Sequence, residues 1–183
     1  MIPTILFIII ILYAVIAYNS LTRKRNNVDN AFSSIDVMLK KRFDLIPNLV
    51  ATVQQYAKHE EETFTKITSL RTKTYDSLTT EEKADFDKSF TTASRSFFMV
   101  AENYPQLRAS ENFIQLQRAL NETEEQLSAS RRTYNASVTD YNNAVMTFPS
   151  NIIANIFSFT KKEVLTIPEA EKAVPNVKNL FQS

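Results

Sequence analysis

Residues 36–50 read Asp36-Val-Met-Leu-Lys-Lys-Arg-Phe-Asp-Leu-Ile-Pro-Asn-Leu-Val50, and this stretch decides the fold. Apart from Pro47 it is an amphipathic helix. An interior proline removes one backbone hydrogen bond and clashes one turn back, at a cost of ~3 kcal/mol. Yet the apolar phase survives on both sides of it. One heptad row holds Phe32, Leu39, Ile46 and Val53, and its companion holds Val28, Ile35, Arg42 and Leu49. Phe43 and Val50 widen the face on one side, Ala31, Met38 and Leu45 on the other. So broad a face exceeds the seam of a two-stranded coiled coil and predicts packing against two or more helices. The expectation is one long helix to about Asp76, bent at an outward-facing Pro47. The alternative is a break with a short loop.

The composition narrows the rest. Lys and Arg total 21 against 20 Asp and Glu, without the basic excess of a nucleic-acid binder. No Cys is present, which removes disulfide and thiol chemistry. The chain also has no Gly. Phosphate-cradling loops and tight hairpins lean on Gly, so its absence points to long helices and away from nucleotide-binding α/β folds.

Before the first helix lies Ile-Pro-Thr-Ile-Leu-Phe-Ile-Ile-Ile-Ile-Leu-Tyr-Ala-Val-Ile-Ala-Tyr over residues 2–18, with no charge until Arg23. This meets the lower length limit for a transmembrane helix. Val15 and Ala17 also admit a signal-peptide reading, but no Lys or Arg precedes the apolar run, which favours an uncleaved span. Arg23, Lys24 and Arg25 follow it directly. By the positive-inside rule the N-terminus lies outside and the body in the cytoplasm, in the cell (inner) membrane.

Further along, Thr79 with Glu82 forms a capping-box signature. A helix carrying Phe86, Phe90, Ala93, Phe97 and Val100 follows, ended near Pro105. The next helix repeats Phe113, Leu120, Leu127, Tyr134, Tyr141 and Phe148 every seventh residue, beside a small-residue stripe of Thr123, Ser130, Ser137 and Ala144. Asn121, Asn135 and Asn142 recur on its other flank, and Pro149 stops it. Ser150 is placed to cap a short helix with Ile152, Ile153, Ile156, Phe157 and Phe159. Its apolar density beside Lys161 and Lys162 suits a membrane interface or a cap on the bundle end. The expected organisation is a span over 1–20, a helical bundle over 21–149 and a short helix with a mostly irregular tail over 150–183. The fold class is all-α, an N-terminal transmembrane helix followed by an elongated up-and-down bundle.

Charges interrupt the apolar rows and need partners if buried. One antiparallel register between the first and third helices faces Arg42 with Glu124, Asp36 with Arg131 and Glu60 with Arg108; a parallel arrangement stays open. The lone His59 precedes Glu60, Glu61 and Glu62 without the Glu-x-x-His repeats of di-iron bundles, and reads as a solvated face. No catalytic residue, metal ligand or cofactor is expected, and no small-molecule substrate is evident.

Taken together, the chain resembles the LemA family of prokaryotic membrane proteins. The resemblance rests on the apolar N-terminus, Tyr18-Asn19, the block from Asp36 to Val50, His59-Glu60 and Glu102-Asn-Tyr-Pro105. It continues through Leu116, Gln117 and Leu120, Thr123-Glu124, Tyr134-Asn135, Tyr141-Asn142 and Phe148-Pro149. A Gly common after Pro149 in the family stands here as Asn155. The resemblance implies a single-pass protein with a four-helix up-and-down domain and no established catalytic activity. The functional expectation is a non-enzymatic membrane-anchored scaffold for protein partners or copies of itself. Its candidate surface is Lys40, Lys41, Asp44, Pro47 and Asn48, which also read as a solvated helix back. The alternative is lipid binding or membrane remodelling through Arg23, Lys24, Arg25 and the apolar segment after residue 150.

Overall fold

Pro47 carries no N–H, so the helix that enters the Asp36–Val50 block does not pass through it unchanged. In the computed structural model α1 runs from Ile2 to Asp44, Leu45 is a turn, and α2 restarts at once over Ile46–Tyr56. Pro47 thereby falls in the first turn of α2, where a missing N–H leaves no helical carbonyl unpaired. Leu45 donates to the Arg42 carbonyl at 3.1 Å, and its own carbonyl accepts from Asn48 and Leu49, each at 3.1 Å. The interruption is one residue long, so the buried row continues across it as Leu39, Phe43, Ile46, Leu49 and Val53. Pro47 itself faces solvent.

The structure describes residues 2–56, 60–71 and 74–165 (Tyr56 through its main chain). Among these every regular element is helical. The single helix expected as far as Asp76 is instead α1, α2, then α3 over Glu61–Ser69 and a 3₁₀ turn over Tyr75–Ser77. α4 covers Thr80–Ala101, α5 Pro105–Arg108, α6 Glu111–Met146 and α7 Ser150–Ile156.

The local signals explain most boundaries. Thr79 and Glu82 form the capping box: the Thr79 N–H donates to the Glu82 carboxylate at 2.8 Å, and the Glu82 N–H to Thr79 Oγ1 at 3.2 Å. α4 buries Phe86, Phe90, Ala93, Phe97 and Ala101, so its last core position is Ala101, with Val100 half-buried. Pro105 opens α5 at a position that suits it. On α6 the seven-residue row Phe113, Leu120, Leu127, Tyr134 and Tyr141 is buried throughout. Ser150 does not cap α7 from outside. It is the first residue of α7, and its hydroxyl donates to the Ala144 and Thr147 carbonyls. α7 ends with Ser158 at φ 56 and the Phe159 N–H bonded to the Ala154 carbonyl at 2.9 Å. This is a left-handed helix stop, usually a glycine position. In a chain without glycine a serine fills it, at a cost on the order of 1 kcal/mol.

The chain forms two compact units. One contains Met1–Phe32 with Arg131–Ser183, the other Ser33–Ser130. In the first, α1 is exposed on all sides from Ile2 to Tyr13, and Ala17, Leu21 and Val28 begin its buried face. An 18-residue window here reaches a mean hydropathy of 2.3, so by length and composition this helix suffices to cross a membrane. The second unit packs α2 against α3, α3 against α4, and α5 against both α2 and α4.

Candidate functional site

Two polar arrangements stand out, one in each unit. In the Ser33–Ser130 unit the centre is Arg42, only 2% exposed although it is charged. Its guanidinium forks between Asp87 of α4 and Glu124 of α6, and lies 5.5 Å over the Phe90 ring. A buried cation is tolerable only with such partners, and the planar fork of arginine can serve two carboxylates at once. One turn and a half earlier, Asp36 Oδ1 accepts from Lys83 Nζ and from the Tyr75 hydroxyl, each at 2.7 Å. Burial works against its charge, but the Lys83 and Tyr75 hydrogen bonds outweigh that and hold the carboxyl below its ordinary value. Burial and the facing Asp36 raise the Tyr75 phenol well above its usual range, so it stays a donor. The Tyr75 ring packs on Phe43 and Phe86 and takes the Lys83 ammonium 4.6 Å from its centre.

Of the three ion pairs read from the sequence, the structure brings together Arg42 and Glu124. Asp36 is held by Lys83 and Tyr75 of its own unit, while Arg131, half-buried, belongs to the other unit. Glu60 accepts from the Tyr104 hydroxyl at 3.1 Å rather than from Arg108, which is exposed on α5. A register between two helices could not anticipate partners supplied by α4 and by the turn before α5. His59 lies outside the described residues.

Lys40, Lys41, Asp44, Pro47 and Asn48 are all exposed. Lys40 and Asp44 pair along the helix at 3.6 Å, and Lys41 reaches Gln126 at 3.2 Å. Asn48 lines an open groove of about 520 Å³ between α2 and α6, together with Thr52, Gln55, Asn112 and Gln115. The groove wall is therefore rich in neutral amides.

The second arrangement lies on α6 in the unit containing Arg131–Ser183. Beyond α7, residues 160–165 have no regular structure, and α6 fastens them. The Asn142 amide donates to the Lys162 carbonyl at 2.8 Å and accepts the Lys162 N–H at 2.9 Å. The Asn135 amide does the same for Leu165, at 2.9 and 2.8 Å. Tyr141 donates to the Thr160 carbonyl and Tyr134 to the Glu163 carbonyl. The spacing has a simple origin. Seven helical residues rise ~10.5 Å, close to the ~10 Å covered by three residues of extended chain. Two Tyr-Asn dyads one heptad apart thus meet backbone groups three residues apart. Burial raises both phenols above their usual value, keeping them protonated as donors. The repeated Asn were visible in the sequence, but their partner was not. Asn121, in the same row, is exposed.

The cations that follow the apolar stretch are divided among different contacts. Arg23 is exposed, Lys24 pairs with Asp140 at 2.5 Å, and Arg25 lies 5.3 Å over the Phe159 ring. Of the apolar residues expected at a membrane interface, Ile152, Ile156 and Phe157 are exposed, while Ile153 and Phe159 are buried against their own unit. Phe159 turns inward because the left-handed Ser158 reverses the chain, placing its ring 5.7 Å from that of Tyr18.

A sequence model of the LemA family matches residues 31–179. The chain is also 28% identical over 159 residues to Protein LemA of Metamycoplasma hominis, covering 84% of this chain and 71% of that protein.

Proposed function

The chain belongs to the LemA family, and from that premise we propose that it is a non-enzymatic, membrane-anchored helical scaffold that presents its body to protein partners or to a second copy. The observation that carries this reading is the unbroken α1, Ile2–Asp44, in which an apolar stretch of spanning length and the first helix of the body are one element. The presented surface is the exposed set Lys40, Lys41, Asp44, Pro47 and Asn48, with the amide-lined groove beside it. The one-residue interruption at Leu45 supports this choice, because it leaves Pro47 outside while the inner row stays packed. The non-enzymatic reading rests on the sequence, whose single His and lack of Cys leave few nucleophile–base combinations.

The reading places the N-terminus outside and the body in the cytoplasm, from Arg23, Lys24 and Arg25. The test is light scattering of the full chain in detergent, with crosslinking in membranes. We expect a self-associated species or a defined crosslinked partner, lost on reversing charge at Lys40 and Lys41. A strict monomer without crosslinked partners overturns the scaffold.

A further inference from the structure

At ~1.5 Å per residue the apolar stretch from Ile2 to Tyr18 covers about 25 Å, less than the ~30 Å of bilayer hydrocarbon. A span at this lower limit thins the bilayer or snorkels its flanks, and apolar surface beside one end eases the mismatch. The unit that carries the stretch supplies such a surface at its inner end. Tyr18 meets the Phe157 ring edge-on with centroids 4.8 Å apart. Phe157 is 53% exposed and shares α7 and its end with Ile156 at 67% and Ile152 at 49%, and just before α7 Phe148 is 75% exposed. From Phe148 to Thr160 the sequence carries no charge, and Lys161 and Lys162 follow immediately. This apolar patch is continuous, through Tyr18, with the exposed wall of the helix that would face lipid.

We propose that the exposed side of α7 lies in the boundary between headgroups and acyl chains, as a collar around the inner end of the α1 span. The inference rests on the membrane-spanning reading of α1. Lipid is the occupant because a patch joined to a lipid-facing wall meets the bilayer before it meets a soluble partner. Ile152, Ile156, Phe157 and Phe148 enter the outer acyl region, and Lys161, exposed just after them, sits among the headgroups.

The chain has no cysteine, so a single introduced thiol reports one position. Ile10→Cys, Ile156→Cys, Phe148→Cys and Ala136→Cys in the full chain, each labelled with a small fluorophore, are placed in phosphatidylcholine–phosphatidylglycerol vesicles. Nitroxide lipids carry the quencher either near the headgroup or deep in the acyl chain. Ala136 is the control outside the bilayer. It is exposed on α6 near Tyr134, whose ring meets that of Phe32, about 20 Å along α1 from Tyr18. We expect Ile10 to be quenched best by the deep nitroxide. Ile156 and Phe148 should be quenched by the shallow one at least threefold more than Ala136. Quenching at Ile10 with Ile156 and Phe148 no different from Ala136 overturns the collar and leaves the anchor intact, and a second copy covering α7 would give this same result. No quenching at Ile10 overturns both.

Discussion

The two units hold their buried polar groups by opposite means. The unit that carries the apolar stretch fastens residues 160–165 with neutral groups, the amides of Asn135 and Asn142 and the phenols of Tyr134 and Tyr141. The ion pairs Lys24 with Asp140 and Lys162 with Asp29 in this unit have exposed carboxylates and belong to the class worth least. The Ser33–Ser130 unit instead locks its helices with charge, at Arg42 with Asp87 and Glu124, and at Asp36 with Lys83. Neutral main-chain bonds tolerate changes of pH and salt but depend on shape. Charged bonds fix which helices meet, and they fail when one partner is lost. On the membrane-spanning reading proposed for α1, the first device has the merit of adding no desolvated charge beside lipid.

The largest effect should follow from Arg42→Met. The change leaves Asp87, 17% exposed at its side chain, without its cation, and releases Glu124 as well. Breaking a buried pair from one side costs roughly 3–5 kcal/mol. With Glu124 half in solvent we expect the lower end, read from the urea midpoint of the full chain in detergent. Arg42→Lys should restore little, since a single ammonium cannot fork to two carboxylates. A loss under about 0.5 kcal/mol would break the contrast between the units.

Next in size is Asn142→Ala. It removes two hydrogen bonds to Lys162, each worth about 0.5–1.5 kcal/mol net. The loss should be local. Amide exchange at Lys162 and its neighbours should rise ten- to a hundredfold, while the amides around Arg42 hold their protection. Equal loosening around Arg42 would show that the neutral ladder is not a separate device.

What the sequence made legible follows from the range of each interaction. Apolar periodicity is local, so the all-helical class, the buried rows of α1 and α6 and the Thr79–Glu82 cap could be read directly. Pro47 was located on the outer face of a helix that keeps its phase, and only the form of the interruption was missed. Its phase-preserving seam suggested a bent helix, whereas a one-residue turn at Leu45 moves the proline into a first turn and keeps the same phase. Asp36 and Glu60 were assigned by a register between two helices, and their partners came from outside that pair. The Tyr-Asn dyads showed as a repeat, but a side-chain amide gives no hint of which distant backbone it will meet. Ile153 looked equivalent to Ile156 because the buried face of so short a helix is not set by the sequence, and Phe159 to Phe157 because the reversal at Ser158 leaves no mark in a chain without glycine.

The smallest expected effect is the response to acid, and it tests the contrast most directly. Asp36 titrates below its ordinary value of 3.8 in the folded chain. Between that value and its folded-state pKa the unfolded chain binds more protons than the folded one. The stabilisation from Asp36 is therefore present above pH 3.8 and lost as pH falls through the folded value. Its side chain is 42% exposed, so solvent screening keeps the contribution small. Tyr75→Phe removes one of the two bonds that hold the carboxyl down, at about 1 kcal/mol near neutrality. It should also narrow the window of acid loss from below and shrink the loss, because the folded-state value moves up toward the ordinary one. At high pH the units do not separate, because Tyr75, Tyr134 and Tyr141 are all raised and must all stay protonated. The acid side does separate them. Amide exchange, corrected for its intrinsic pH dependence, should loosen near Asp36 before it loosens at residues 162–165, whose Asn and Tyr partners have nothing to titrate there. Loosening in the reverse order would mean that the exposed pairs of Asp29 and Asp140, rather than the amides, hold the 160–165 segment in place.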